Sequence, residues 1–194
     1  LDLDWLVISV DPKNGSKAKR SSNVGLVVMG GKGNQRFILD DRTDKLGFLD
    51  TVDVIKQMIV DWSARGLTGV LIERKVQGSA ATESLERDIA AAKLVDANGK
   101  AIVVKVTEVE GGSTSFEDRF NAALPAFRAG HVHILDGAPF VDEHIDEICA
   151  VPTGAKDDRA DADCQAINHF ADKAVDVKGR FAAYASAFQL PARR

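Results

Sequence analysis

The spacing of apolar positions divides the first half of the chain into short strands and two helices. Trp5 to Val10 (WLVISV) is a run of β-formers stopped by Asp11-Pro12, as expected of a buried strand ended by proline, so Asp11 falls at a strand's carboxyl end. Val24 to Met29 and Arg36 to Leu39 flank GGKGNQ and read as two further strands joined by a glycine-rich turn. From Asp50 the period lengthens: Val52, Ile55, Ile59 and Trp62 fall at helical spacing, with Asp50 as the expected N-cap and Gly66 just beyond the last turn. Thr68 to Glu73 (TGVLIE) is a short apolar strand that also ends on a carboxylate. Arg74 to Gly78 reads as a turn into a helix spanning about Ser79 to Ala92, and Lys100 to Val106 reads as the fifth strand.

In the second half, Gly111-Gly112 breaks the chain before Ser115, which with Asp118 forms a capping-box pattern. Phe116, Phe120, Ala123 and Phe127 then make one apolar helical face, and Pro125 is expected to kink that helix or lie near its end. His131 to Leu135 reads as a short last strand and Phe140 to Ala150 as an acidic amphipathic helix. After Pro152 and Gly154 a helix is expected to about Val175, followed by a tail helix with Phe181, Tyr184 and Phe188 on one side. Three strands, a helix and then alternating strands and helices predict an α/β fold: a mixed sheet of about five to six strands with helices on both faces. The whole of 1–194 is expected to form one domain, with a core at about 4–175 and a helical tail at about 176–194.

Composition narrows the class without changing that picture. A chain of 194 residues, 45% hydrophobic and 28% charged, has enough apolar material for one sizeable core. No apolar run approaches the roughly 20 residues of a membrane span, and LDLDWLVISVD lacks the basic region and cleavage site of a signal peptide, so no membrane association or export is expected. Cys149 and Cys164 form no CxxC pair and no His-Cys cluster, which argues against a disulfide framework or a zinc site and for reduced thiols in a cytosol. The net charge of −4 conceals a division of charge. Pro12 to Leu39 carries Lys13, Lys17, Lys19, Arg20, Lys32 and Arg36 without an acid, whereas Asp136 to Asp163 is dominated by acids. Such a division suits a polyanion held beside a metal site, and it also suits an ordinary mixed surface.

The densest chemical signal is AKDDRADADCQAINHF, Ala155 to Phe170, where Asp157, Asp158, Asp161 and Asp163 crowd the start of an apolar helical pattern. Asp158 and Asp161, three apart, share a helix face near the positive end of the dipole, while Asp163 points away from it. Like charges held together repel unless a cation lies between them, and a hard divalent ion such as Mg²⁺ or Mn²⁺ suits oxygen ligands. The plain alternative is that acids enrich the first turn of any helix. GGKG is not followed by the residues of a phosphate-binding loop, so those glycines read as hairpin punctuation. His131, His133, His144 and His169 show no metal-ligand spacing and read as structural.

An Asp after the first strand (ISVDP), a Glu after the fourth (GVLIERKVQG) and an Asp cluster opening a late helix (FVDEHIDEICAVPTGAKDDRADADCQAINHF) resemble the nuclease domain of the large terminase subunit of tailed bacteriophages, a ribonuclease-H-like family. The likeness spans about Trp5 to Phe170. It implies a metal-dependent endonuclease cutting concatemeric viral DNA during genome packaging by two-metal-ion phosphodiester hydrolysis. The expected catalytic residues are Asp11, bridging the two ions, Glu73 on one and Asp158 or Asp161 on the other; many relatives have histidine in place of Asp157 or Asp158, so ligand assignment within that doublet stays open. Lys75 is expected to touch the scissile phosphate, to balance the acids or simply to be solvated. Lys13, Lys17, Lys19 and Arg20 leave the strand end that delivers Asp11 and are expected to contact the DNA backbone. The resemblance further implies double-stranded DNA, the terminase ATPase domain, the small terminase subunit and the portal protein as partners, in the cytoplasm of an infected bacterial host. Two competing readings are a Holliday-junction-resolvase-like nuclease of the same fold and a non-catalytic acidic module that binds a metal or a partner protein.

Overall fold

The computed structural model describes residues 2–12, 23–110 and 115–171. The basic turn with Lys13, Lys17, Lys19 and Arg20, the Gly111-Gly112 break and the tail with Phe181, Tyr184 and Phe188 lie outside the described residues.

Six strands form one mixed sheet: β1 (Trp5–Asp11), β2 (Gly25–Lys32), β3 (Gln35–Asp41), β4 (Gly69–Glu73), β5 (Lys105–Val109) and β6 (Val132–Ile134). Their order across the sheet is β5-β4-β1-β2-β3-β6. β1, β2 and β3 are antiparallel neighbours, while β4 runs parallel to β1, β5 parallel to β4 and β6 parallel to β3.

The twofold alternation of each strand sorts its side chains onto two faces. Leu6, Ile8 and Val10 of β1 and Val70 and Ile72 of β4 pack with helices α1 (Phe48–Ser63) and α2 (Val76–Ala90), through Ile55, Met58, Ile59, Ala81 and Leu85. Val7 of β1 and Leu71 of β4 face the other way, against Ala123 of α3 (Phe116–Arg128) and Ala162, Ala166 and Ile167 of a further helix, α5, at residues 158–171. Between α3 and α5 in the chain comes α4 (Val141–Ala150). The expected α/β sheet with helices on both faces is therefore present.

Several elements begin or end elsewhere than the apolar pattern predicts. β5 covers Lys105–Val109 rather than Lys100 to Val106. Ala101 forms a bridge with Val95, and Ile102, though outside any strand, is buried in the core with its amide donating to the Leu94 carbonyl. An apolar run can thus feed the core from a loop, which spacing does not distinguish from a strand. Helix α1 starts at Phe48 with Gly47, not Asp50, at the N-cap, because its first turn is closed by Thr51, whose amide and hydroxyl both donate to the Gly47 carbonyl. The apolar period cannot reveal that turn, since Leu49 within it is 74% exposed. Helix α2 begins at Val76, inside the expected turn. The Ser115–Asp118 capping box is present, and Pro125 lies in the last turn of α3.

Candidate metal centre

Asp11 and Glu73 are placed by strand register. Val10 pairs with Ile72 in the parallel β1–β4 ladder, so the next residues, Asp11 and Glu73, stand side by side at the carboxyl ends of neighbouring strands. Both belong to the face that receives α5, one step out of phase with Val10 and Ile72, which point at α1 and α2.

Helix α5 is pinned onto that face by polar contacts. The Ser9 hydroxyl donates to the Ala162 carbonyl at 2.7 Å. The Gln165 amide donates to Ser9 Oγ at 3.0 Å and to the Val10 and Leu71 carbonyls at 3.3 Å. Gly25, opposite Asp11 in the β1–β2 ladder, leaves room for the helix: a Cβ there would stand 2.2 Å from the Asp158 carbonyl oxygen. Gly78 does the same for α2, where a Cβ would lie 2.1 Å from the Glu73 carbonyl oxygen. The two glycines let the first turns of α2 and α5 close over the strand ends.

The result is one carboxylate each from β1, β4 and α5. Asp11, Glu73 and Asp161 each offer an oxygen within 4.8 Å of the others. They are 9%, 6% and 8% exposed, so the cluster is a recess and not a surface patch. Two cations hold it. Lys75 Nζ lies 2.5 Å from Asp11 Oδ1 and also meets Glu73 Oε2. From α3, Arg119 donates to both Asp161 oxygens, with Nε to Oδ1 at 2.8 Å and Nη2 to Oδ2. Its own backbone is tied to α5, its carbonyl accepting from Asn168 at 2.9 Å.

Burial pushes the Asp11 carboxyl well above the usual carboxylate range, and its hydrogen bond with Glu73 adds to the rise while Lys75 opposes it. Burial also pushes Asp161 up, against the guanidinium of Arg119. For Glu73 burial acts upward too, but the bond from Asp11 and the Lys75 ammonium outweigh it and leave its carboxyl below the ordinary value. Burial lowers the Lys75 ammonium, yet Asp11 and Glu73 more than compensate and keep it charged. These are the properties of acids crowded together in one buried recess.

Of the remaining residues expected at the site, Asp158 is buried and its Oδ2 accepts from the Asn23 amide at 3.2 Å, while Asp157 is exposed and its carbonyl accepts from the Asp161 amide. Neither joins the three-carboxylate group found among the described residues. Asp158 is the first residue of α5, and its carboxylate reaches across to the backbone just ahead of β2. Asp163 points to the opposite side, where it meets His144 Nε2 at 2.8 Å. His144 Nδ1 reaches Asp41 at 2.9 Å, and Arg159 joins Asp41 at 2.7 Å and Glu147 at 3.0 Å. This buried network ties β3, α4 and α5 together behind the cluster.

Sequence reasoning missed Arg119 and did not foresee the network. Arg119 is a lone cation beside the Phe116–Phe120 face of α3, and no pattern distinguishes it from a solvated arginine. His144 carried one faint signal, a histidine within an otherwise acidic helix.

No model of a known protein family matches the sequence, and no curated protein does. Solved structures do match. The human cytomegalovirus terminase nuclease domain superposes with a TM-score of 0.59 at 14% identity, over 86% of this chain and 85% of that one. A manganese-soaked form of that domain gives 0.59 at 10% identity, over 86% and 84%. The large terminase of a thermophilic bacteriophage gives 0.56 at 11% identity, over 87% of this chain but 40% of that one. The chain therefore has the fold of these terminase nuclease domains.

Proposed function

We propose that the protein is a divalent-metal-dependent DNA endonuclease of the terminase kind, with Asp11, Glu73 and Asp161 as the residues that hold the metal. One observation carries the reading: three buried carboxylates from three separate elements converge at the carboxyl end of the sheet, within 4.8 Å of one another. The fit to a hard cation rests on the donor set. All three ligands are oxygens, and Glu73 Oε2 is buried against the Lys75 ammonium, a cation already held where an ion would bind. That the cytomegalovirus domain of the same fold was soaked with manganese supports the choice of Mg²⁺ or Mn²⁺.

When bound, such ions supply an activated water and stabilise charge on the leaving 3′-oxygen of a phosphodiester. The chain's own part is to position. Asp11, on the central strand, would hold the metal together with Glu73 and Asp161, and with two ions would be the ligand between them; Asp158 and Asp157 are further candidates. Lys75 and Arg119 limit the charge of the cluster, and Lys75 is near enough to meet a scissile phosphate. Lys13, Lys17, Lys19 and Arg20 follow Asp11 in sequence and would grip the DNA backbone irrespective of base. Burial also weighs against an acidic module that docks a protein partner, since acids with that role lie exposed on a surface and these three do not; a module that only binds metal is separated from a nuclease by the cleavage test below.

The finer reading is cutting of concatemeric viral DNA during packaging, by two metal ions, in the host cytoplasm, beside an ATPase motor, a small terminase subunit and a portal. It rests on the fold likeness and the charge pattern. Among the described residues no helix is long and apolar enough to cross a membrane. The test is incubation with supercoiled plasmid. Nicking is expected with Mg²⁺ or Mn²⁺, without ATP, and is expected to stop with chelator; nicking that persists in excess chelator would sink the proposal. Equal cutting of linear duplex and four-way junction is expected, whereas strong junction preference would favour a resolvase.

A further inference from the structure

The Lys75 ammonium occupies the ground between Asp11 Oδ1 and Glu73 Oε2 on which a divalent ion would have to sit. We propose that Lys75 is a displaceable counter-cation of this centre: the first divalent ion and the ammonium compete for Asp11 and Glu73, and metal loading expels Lys75 while Arg119 stays on Asp161. The inference rests on the reading of the cluster as a metal centre.

Charge and chemistry both favour the exchange. With all three acids ionised, the ammonium and the guanidinium leave the cluster one charge negative; a divalent ion in place of the ammonium makes it neutral. An ammonium and a divalent ion held at the same two oxygens repel, so both cannot be retained. The two side chains differ in how easily they leave. Arg119 grips both oxygens of Asp161 with a planar fork, a geometry broken if the side chain moves. Lys75 is a strongly hydrated point charge on a flexible four-carbon stem. It sits at the N-cap of α2 in extended backbone, at the rim of the sheet, with its side chain 18% exposed, so rotation of the stem carries the ammonium into water without disturbing the helix. Once released, the ammonium can meet a phosphate oxygen of the substrate.

The exchange is read by metal binding without DNA. Calorimetric Mn²⁺ titration of Lys75→Met is expected to show affinity raised by on the order of tenfold over wild type, the effect of removing one positive neighbour from a partly buried site. Lys75→Arg should weaken it. Unchanged or weaker Mn²⁺ binding in Lys75→Met overturns the proposal. Absence of Mn²⁺ binding in both wild type and Lys75→Met overturns it together with the metal-centre reading, and is thereby distinguished. A second measurement needs no variant: amine acylation of the native chain, followed residue by residue by mass spectrometry. Lys75 should react slowly in chelator and several-fold faster in Mn²⁺, while an exposed control such as Lys93 keeps its rate. A Lys75 rate that stays constant or falls on adding Mn²⁺ refutes displacement even if Lys75→Met does not fold.

Discussion

Gly25 of β2 lies so close to the first turn of α5 that a Cβ on it would stand 2.2 Å from the carbonyl oxygen of Asp158 and 3.2 Å from Cβ of Ala162. The obstacle is backbone, which cannot swing aside as a side-chain tip can. Gly25→Ala should therefore lift α5 and carry Asp161 away from Asp11. The expected cost is about 1–3 kcal/mol, as for other overpacked sites, together with weaker Mn²⁺ binding. Thermal melting and metal titration of the variant check both; wild-type values would show that α5 is not seated by this contact.

The three acids should separate in a metal-free melt even though each is expected to be needed for cleavage. Burial holds Asp11 well above its ordinary value and raises Asp161 too, so their ionised forms cost stability, and Asp11→Asn and Asp161→Asn should keep or raise the melting temperature in chelator. Glu73 is held below its ordinary value, so its ionised form stabilises the fold and Glu73→Gln should melt lower. All three should lose plasmid cleavage by on the order of a hundredfold or more. A cleaving Asp11→Asn variant would refute its place at the centre.

The network behind the cluster gives an alkaline limit to stability. Burial alone would lower His144, but Asp163 and Asp41 on either side raise it from 6.5 to about 10. A cation whose folded pKa is raised contributes fully below its unfolded value and loses that contribution as pH rises towards the folded one, here between about pH 6.5 and 10. Asp163, pushed up by burial, acts in the same direction. Asp41, lowered to about 2 despite its burial, protects the other side, with its contribution lost only as pH falls below the ordinary carboxylate range. Denaturant midpoints should thus decline from neutral to alkaline pH. His144→Gln should melt lower at pH 6 and flatten that decline; an equally steep decline would mean that other groups cause it.

The basic stretch following Asp11 should act on affinity and not on chemistry. Replacing Lys13, Lys17, Lys19 and Arg20 together by Ala is expected to weaken binding to all DNA sequences alike, while Mn²⁺ binding is unchanged. For every phosphate that the variant no longer grips, the salt dependence should flatten by roughly 0.9 log unit per tenfold change in salt. DNA affinity measured against salt for both proteins is the check, and coincident slopes would place the DNA path elsewhere.

How much of this was legible in sequence depends on whether a feature is periodic. WLVISVD and GVLIE announce buried strands ending on acids, and parallel pairing of such strands brings Asp11 and Glu73 to one edge. The face of Asp163 also followed from helical spacing, since it lies two residues beyond Asp161. Asp158 shows the limit of that reasoning. Three-residue spacing puts it on the helix face of Asp161 but says nothing of the distant Asn23 amide that its carboxylate accepts from. Cations that meet acids across distant elements, Arg119 on Asp161 or His144 between Asp41 and Asp163, leave no periodic trace. β5 was displaced for a similar reason, because Ile102 and Val104 reach the core from a loop.

A crystal soaked with Mn²⁺ and measured for anomalous scattering tests the metal centre most directly. The predicted result is a peak at about 2.1 Å from carboxylate oxygens of Asp11, Glu73 and Asp161, with Lys75 Nζ moved away from Asp11. A fully soaked crystal with no peak among these three carboxylates, or with its manganese bound only elsewhere, would contradict it.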